Sequence, residues 1–219
     1  MSDTDGTAEK PKSSARQRAD AIKGYRCKNL IAVIEDPKDV RNIGTVIRNV
    51  DALGVEKTYI VDPKRRLPDD WQTMRERSSL MGTSVSAIKW SFVRRFDSTA
   101  ACLAHLARNN VTSIVTSPHV KGQRNEVLHE VDYTAYTKLA VWFGNESRGI
   151  SDEAVAAAEM CVGIPMFGMV ESLNLGTTSG IVLYEVTRQR RDYQSKYRKR
   201  NRRKPIRSVE PEGGHGDGR

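Results

Sequence analysis

Three short segments carry residues whose types and spacing could do chemistry. The stretch IPMFGMVESLNLGTTSGIVLYE, Ile164–Glu185, sets Glu171, Ser172 and Asn174 inside an otherwise apolar run bracketed by Gly168 and Gly176. FGNESRGIS packs Gly144, Asn145, Glu146, Ser147, Arg148 and Gly149 directly behind an apolar segment. In DPKDVRNIGTVIRN, Asn42 precedes a helical pattern whose Arg48 is flanked by Val46, Ile47 and Val50, at the edge of the apolar face. Glycines at such points let the backbone approach a ligand closely. Each segment also has a plain structural reading. Ser151 would cap a helix whose first turn carries Asp152 and Glu153; Arg48 would pair on the surface with Asp51 or Asp39; Asn42 would simply start its helix. Other chemistry is excluded. There is no G-x-x-x-x-G-K-[ST], hence no P-loop, and no G-x-G-x-x-G opens the first helix. His105, His119, His129 and His215 form no ligand pattern. Cys27, Cys102 and Cys161 are odd in number and widely spaced, which argues against a disulfide framework and against zinc.

The elements that must position these segments follow from periodicity. LIAVIED is an apolar run of strand length. RNIGTVIRNVDALGV then places Ile43, Val46, Ile47, Val50 and Leu53 at helical spacing and stops at Gly54. KTYIVD is the next strand, followed by a helix over 70–81, a short strand at SAIKW, a helix over 97–109 and a strand at TSIVTSP. KLAVWFG, a helix at SDEAVAAAEM, a strand at CVGIP and a long helix after Gly176 complete the pattern. Alternating short strands and helices predict an α/β domain on a mostly parallel sheet with helices on both faces. In such sheets ligands bind outside the carboxyl ends of the strands, and that is where all three segments fall.

The chain of 219 residues is long enough for one sizeable core plus tails, and its net charge is +9. Residues 188–207 alone hold eleven Lys/Arg against one Asp, a net +10, so a nearly neutral body carries a cationic extension. Tyr193 and Tyr197 interleave those charges, and the pattern suits a nucleic acid; the bland alternative is a solubility tail. No apolar run approaches the roughly 20 residues that span a bilayer, and the N-terminus lacks a secretory signal. The expectation is a cytoplasmic protein with no membrane association. Residues 1–25 read as a flexible arm in which SARQRADAIKGY forms a short helix, and the end of the chain, EPEGGHGDGR, as low-complexity disorder.

Taken in order, Asn42…Arg48, FGNESRGIS and IPMFGMVESLNLGTTSGIVLYEVTRQR resemble the three motifs of the SPOUT superfamily of RNA methyltransferases. The match is to its SpoU branch, which methylates ribose 2′-hydroxyls, and is most like the tRNA guanosine-2′-O-methyltransferases that modify the D-loop; it spans roughly residues 29–190. The resemblance implies a sheet whose C-terminal segment threads a deep trefoil knot, a methyltransferase domain over 26–190 and a basic, largely disordered tail over 191–219. It implies S-adenosylmethionine held by Thr116, Gly144, Asn145, Ile164, Met166 and Leu173, with Gly168 also allowing close approach. It assigns Arg48, Asn42, Ser172, Asn174 and Glu146 to catalysis, and Arg41, Arg198, Lys199, Arg200, Arg202 and Arg203 to RNA. A homodimer in which each site borrows residues from the partner is implied, and no metal. Two alternatives stand beside the tRNA enzyme: a ribosomal RNA 2′-O-methyltransferase and a catalytically silent RNA-binding protein of the same fold. Gly176 and Gly180 stand where close relatives have small non-glycine residues, which predicts a looser helix start.

Overall fold

The computed structural model describes residues 14–22, 25–68, 70–84 and 87–191. The first strand, β1 (Cys27–Glu35), is buried along its length apart from Lys28 and Asn29, the near-continuous apolar run expected where both faces of a sheet are covered. It is joined by β2 (Val55–Val61), β3 (Phe92–Phe96), β4 (Thr112–Thr116), β5 (Asn125–Val127), β6 (Leu139–Phe143) and β7 (Met160–Gly163). The order across the sheet is β3-β2-β1-β6-β4-β7-β5, and every pairing is parallel.

Helices cover both faces. On one, α2 (Val40–Ala52), α4 (Ser78–Thr83) and α7 (Leu175–Arg190) pack Ile43, Ile47, Leu80, Val182 and Leu183 against Leu30, Ile60 and Phe143. On the other, α5 (Thr99–Arg108) and α6 (Asp152–Ala157) pack Cys102, Leu106 and Ala154 against Val33, Tyr59 and Trp142. The helix α1 (Ser14–Ile22) lies in the segment expected to be an arm.

Local chemistry explains the boundaries of α2. The Asp39 carboxylate caps its start by accepting from the Arg41 amide. Gly54, at φ 71°, ends the segment in a left-handed turn that a Cβ would resist. Its buried stripe is Ile43, Gly44, Val46, Ile47 and Val50.

Two expected elements are corrected. SAIKW is no strand: Ala87–Lys89 forms one 3-10 turn, with the Trp90 amide and the Ser91 hydroxyl both bonded to the Ala87 carbonyl. The strand begins at Phe92 instead. The helix expected over 70–81 is two, α3 (Trp71–Glu76) and α4, because Arg77 between them is extended (ψ 117°) and its side chain turns to the Arg66 carbonyl. The three-residue edge strand β5 carries no periodicity a sequence could show.

The helix start at Gly176 is not loose. Asn174 caps α7 by accepting from the Gly176 amide at 2.7 Å. A Cβ on Gly176 would lie 2.5 Å from the Thr45 methyl; the glycine is what lets α7 lie directly on α2.

Candidate functional site

The carboxyl ends of β4, β6 and β7 enclose a cavity of about 490 Å³. Thr116 at the end of β4, Gly144 and Asn145 after β6, Ile164 and Met166 after β7, and Leu173 ahead of α7 all line it. The structure thus brings together all six residues named for the cofactor, from segments far apart in the chain. Val162 and Leu175 extend the apolar wall. The volume and the mixture of apolar wall with a few polar groups match small-ligand sites. Gly144 is demanded by the geometry: a Cβ there would sit 2.3 Å from the backbone of Gly149 and Ile150. Gly168, expected to serve the same purpose, has nothing within 4 Å of the point a Cβ would occupy. The Thr116 hydroxyl donates to the Trp142 carbonyl at 2.8 Å.

At the cavity mouth the three motifs meet. Glu146 accepts from Asn42 Nδ2 at 2.7 Å and from the amides of Lys38 (2.8 Å) and Asp39 (3.3 Å). Asn174 Nδ2 donates to Asn42 Oδ1 at 3.2 Å. Burial alone would raise the Glu146 carboxyl; the hydrogen bonds from Asn42, Lys38 and Asp39 outweigh it and hold the group below its ordinary range. The carboxylate is therefore ionised at neutral pH and acts as an acceptor that fixes Asn42. Ser172 lines the same cavity.

Arg48 stands apart. It is exposed on α2 and does not line this chain's cavity. Both surface partners considered for it are taken: Asp39 pairs with Arg41 and Asp51 with Arg26. Among the described residues Arg48 has no ion pair or hydrogen-bonding partner through its guanidinium. Arg41 is clamped to Asp39 (Nε to Oδ2, 2.9 Å), and that hydrogen bond first, with the Arg41 amide second, lowers the Asp39 carboxyl. Arg198, Lys199, Arg200, Arg202 and Arg203 lie outside the described residues.

Sequence reasoning missed two groups. Asn49, next to Arg48, donates to the Gly176 carbonyl at 2.7 Å and to Ser179 Oγ at 2.9 Å, tying α2 to α7. Asp36 pairs with both Arg66 and Arg148; the only sequence signal was an acidic residue before Pro37 at a strand end. Among the described residues no three His, Cys, Asp or Glu side chains are grouped as a metal site would require. All three cysteines are free and buried.

Comparison with known proteins gives the family. The family model for the SpoU rRNA Methylase family matches residues 29–184. A tRNA (guanosine(18)-2′-O)-methyltransferase of Thermus thermophilus is 31% identical over 175 residues, covering 80% of this chain and 82% of the relative. A protein of the same description from Aquifex aeolicus is 33% identical over 167 residues, 76% of this chain and 72% of that one. Among solved structures, the A. aeolicus TrmH/SpoU tRNA-modifying enzyme superposes with a TM-score of 0.66 at 26% identity, covering 83% of this chain and 85% of the other.

Proposed function

The chain belongs to the SpoU rRNA Methylase family, and from that premise we propose that it methylates a ribose 2′-hydroxyl of RNA using S-adenosylmethionine, with a tRNA guanosine as the target. The observation that carries this reading is the Asn42–Glu146–Asn174 network, which joins three distant segments at the mouth of a cavity lined by the expected cofactor residues. A silent RNA-binding protein would have no use for such a mouth.

The residues present fit the cofactor. Ile164, Met166 and Leu173 supply apolar wall, Gly144 close backbone approach, and Thr116 and Asn145 the polar margin. Bound there, S-adenosylmethionine supplies an electrophilic methyl group on a positively charged sulfur. The chain's own task is alignment and activation of a weakly acidic hydroxyl. Holding two reactants in line contributes on the order of 7–11 kcal/mol in the best cases. Asn42, fixed by ionised Glu146, holds the ribose or its backbone; Ser172 and Asn174 flank it. A guanidinium is a poor base and a good cation: the role of Arg48 is to stabilise the developing alkoxide, with a water or phosphate taking the proton.

Arg48 lies outside its own chain's cavity, which supports a homodimer in which it serves the partner's site. Exposed Phe167, Met169 and Val170 on the loop and Ile181 and Tyr184 on α7 offer the apolar surface for that association. The fold reading includes a trefoil knot formed by the segment that leads into α7, and the domain reading a core of residues 26–190 with a basic tail that adds RNA affinity. No described helix is long and apolar enough to cross a membrane, and the proposed location is the cytoplasm.

Three measurements test the reading. Calorimetry with S-adenosylhomocysteine should show binding without RNA; no heat at millimolar ligand sinks the enzyme. Mapping 2′-O-methylation in RNA from a deletion strain should show loss at one tRNA guanosine, and loss at a ribosomal position instead assigns the ribosomal substrate. Light scattering should give a dimer; a fully active monomer at micromolar concentration refutes the shared site.

A further inference from the structure

Asp36, the first residue after β1, does two things at once. Its backbone takes a left-handed conformation, φ 42°, uncommon for a residue with a Cβ but accessible to Asp and Asn. Its side chain, only 8% exposed, pairs through Oδ1 with Arg66 from the β2 exit and through Oδ2 with Arg148 from the β6 exit. The loop is held by the backbone as well: the Asp36 carbonyl accepts from Asn145 Nδ2 at 2.5 Å, and Asn145 Oδ1 accepts from the amides of Ser147 (2.8 Å) and Arg148 (3.1 Å).

The two arginines are not equivalent. Arg66 is 28% exposed and also faces Asp62 at 3.5 Å, so it is the shared counter-ion of two buried carboxylates. Arg148 is 66% exposed and lines the cavity. A guanidinium carries five donors in a planar fork, and one carboxylate oxygen leaves most of them unspent. The sheet order sets the direction. The β6 exit lies between β1 on one side and β4 and β7 on the other. Asp36 therefore draws Arg148 away from the walls made by Thr116 and Ile164 and towards the side that carries Asn42 and Lys38, whose ammonium lies 3.4 Å from Ser147 Oγ.

We propose that Arg148 takes the RNA phosphate adjoining the reacting ribose, and that Asp36 is the positioning residue that aims it. This rests on the RNA 2′-O-methylation reading above. In RNA every 2′-hydroxyl neighbours a phosphate on the same sugar, so a ribose held at the cavity mouth brings that phosphate to the rim. A planar, permanently charged fork matches phosphate in geometry and charge. Fixing it beforehand through a buried carboxylate lowers the ordering cost on binding.

The test uses the full-length protein and a tRNA transcript, with steady-state kinetics, a salt titration of RNA binding and calorimetry with S-adenosylhomocysteine. Arg148→Ala should raise KM for RNA about tenfold, lower the salt slope by about 0.7–0.9, the worth of one phosphate contact, and leave S-adenosylhomocysteine affinity within twofold. Arg148→Lys should keep the slope yet recover only part of KM. Asp36→Asn keeps a residue that tolerates the left-handed turn; it should raise KM about threefold with the slope unchanged. Asp36→Asn/Arg148→Ala should be no worse for RNA than Arg148→Ala alone, because the two act as one unit. Additive losses would make Asp36 merely structural and overturn its part. An unchanged KM and slope in Arg148→Ala, or a loss confined to S-adenosylhomocysteine affinity, overturns the phosphate contact. If the wild type neither binds S-adenosylhomocysteine nor methylates, the reaction reading has failed, and the salt slope still decides Arg148.

Discussion

On the α2–α7 face of the sheet, polar side chains reach across the chain. Asn42 meets Glu146, 104 residues away, and Asn174, 132 residues away, while Asn49 bonds the Gly176 carbonyl. On the α5–α6 face they satisfy helix ends or pair inside the layer, as Trp142 Nε1 does with Ser113 Oγ and Tyr59 with His105. Ser98 and Ser151 cap α5 and α6 through the amides of Ala101 and Ala154. Even the long-range hub there, buried Glu35, accepts from Thr99 Oγ1 at 2.6 Å and from the Ser151 amide and hydroxyl, all at helix starts. The difference is what each arrangement leaves over. The second face closes its polar groups internally. The first ends at a cavity mouth, with Asn42, Glu146 and Ser172 still open to a ligand. The proposed site sits where long-range polar contacts stop short of burial.

The largest effect that sharpens this contrast is expected at Arg48. Arg48→Ala should lower turnover by about 10²–10³, the cost of removing one preorganised group that stabilises developing charge, with S-adenosylhomocysteine affinity within twofold. Arg48→Lys should also lose most activity, since a point charge does not replace a planar fork. Near wild-type turnover in Arg48→Ala would remove it from the mechanism. Next comes a pair of glycines in the two loops proposed to hold the cofactor. Gly144→Ala places a Cβ 2.3 Å from the Gly149 and Ile150 backbone, so the loop must move and S-adenosylhomocysteine binding should weaken at least tenfold. Gly168→Ala meets nothing within 4 Å and should bind within twofold of wild type. Calorimetry on the two variants is the check. Equal losses would mean that crowding in this structure does not report on the loop that grips the ligand.

The segments of the site were legible because each is local. Glycines, carboxamides and a carboxylate clustered behind apolar runs of strand length mark ligand loops whatever the tertiary arrangement. The strands β1, β2, β4, β6 and β7 were legible for a similar reason: strands covered on both faces carry continuous apolar runs, such as residues 30–34 and 139–143. The edges were not. Phe92 and Arg94 in β3 are exposed and β5 has three residues, so neither carries the buried pattern that identifies a strand. Nor could sequence show that Asn49 belongs to the α2–α7 contact. A polar residue beside Arg48 reads as surface until Gly176 and Ser179 are placed against it. The same limit hid Asp36, whose partners come from two loops that only the strand order brings together.

A smaller effect should separate stability from function on the packing face. Cys102 is fully buried on α5, and burial first, then the charge of Glu35, pushes its thiol up to about 12. It is therefore protonated and unreactive at neutral pH. Cys102→Ser puts a hydroxyl among apolar neighbours such as Leu106 and Ala154, and should cost about 1–3 kcal/mol, lowering Tm by several degrees. Turnover at 25 °C and S-adenosylhomocysteine affinity should not move. A fall in kcat without a fall in Tm would break the division between the two faces. So would rapid labelling of Cys102 by iodoacetamide in the folded protein.

The smallest effect is a pH dependence that belongs to the packing face alone. His105 on α5 packs its ring against Tyr59 and Phe96, at 5.6 and 5.4 Å between centroids, and its Nε2 lies 3.3 Å from the Tyr59 hydroxyl. Burial first, then the charges of Arg94, Arg108 and Lys57, lower its pKa from the ordinary 6.5. The sign follows from linkage. The unfolded chain takes up the proton first as pH falls, so the stability tied to neutral His105 is complete above 6.5 and is lost progressively below it, until the folded ring also protonates. Because the ring is only partly buried, solvent screens the effect, and the expected change is on the order of 1 °C in Tm between pH 7.5 and 5.5. His105→Gln keeps a polar group beside Tyr59 and cannot titrate, so the Tm difference between it and wild type should be constant above pH 7 and change only below 6.5. Glu146, whose lowered carboxyl titrates below the ordinary 4.5, contributes nothing in that window. A wild-type profile that is flat from 7.5 to 5.5, or one that falls equally in His105→Gln, would show that the lowered ring is not coupled to folding.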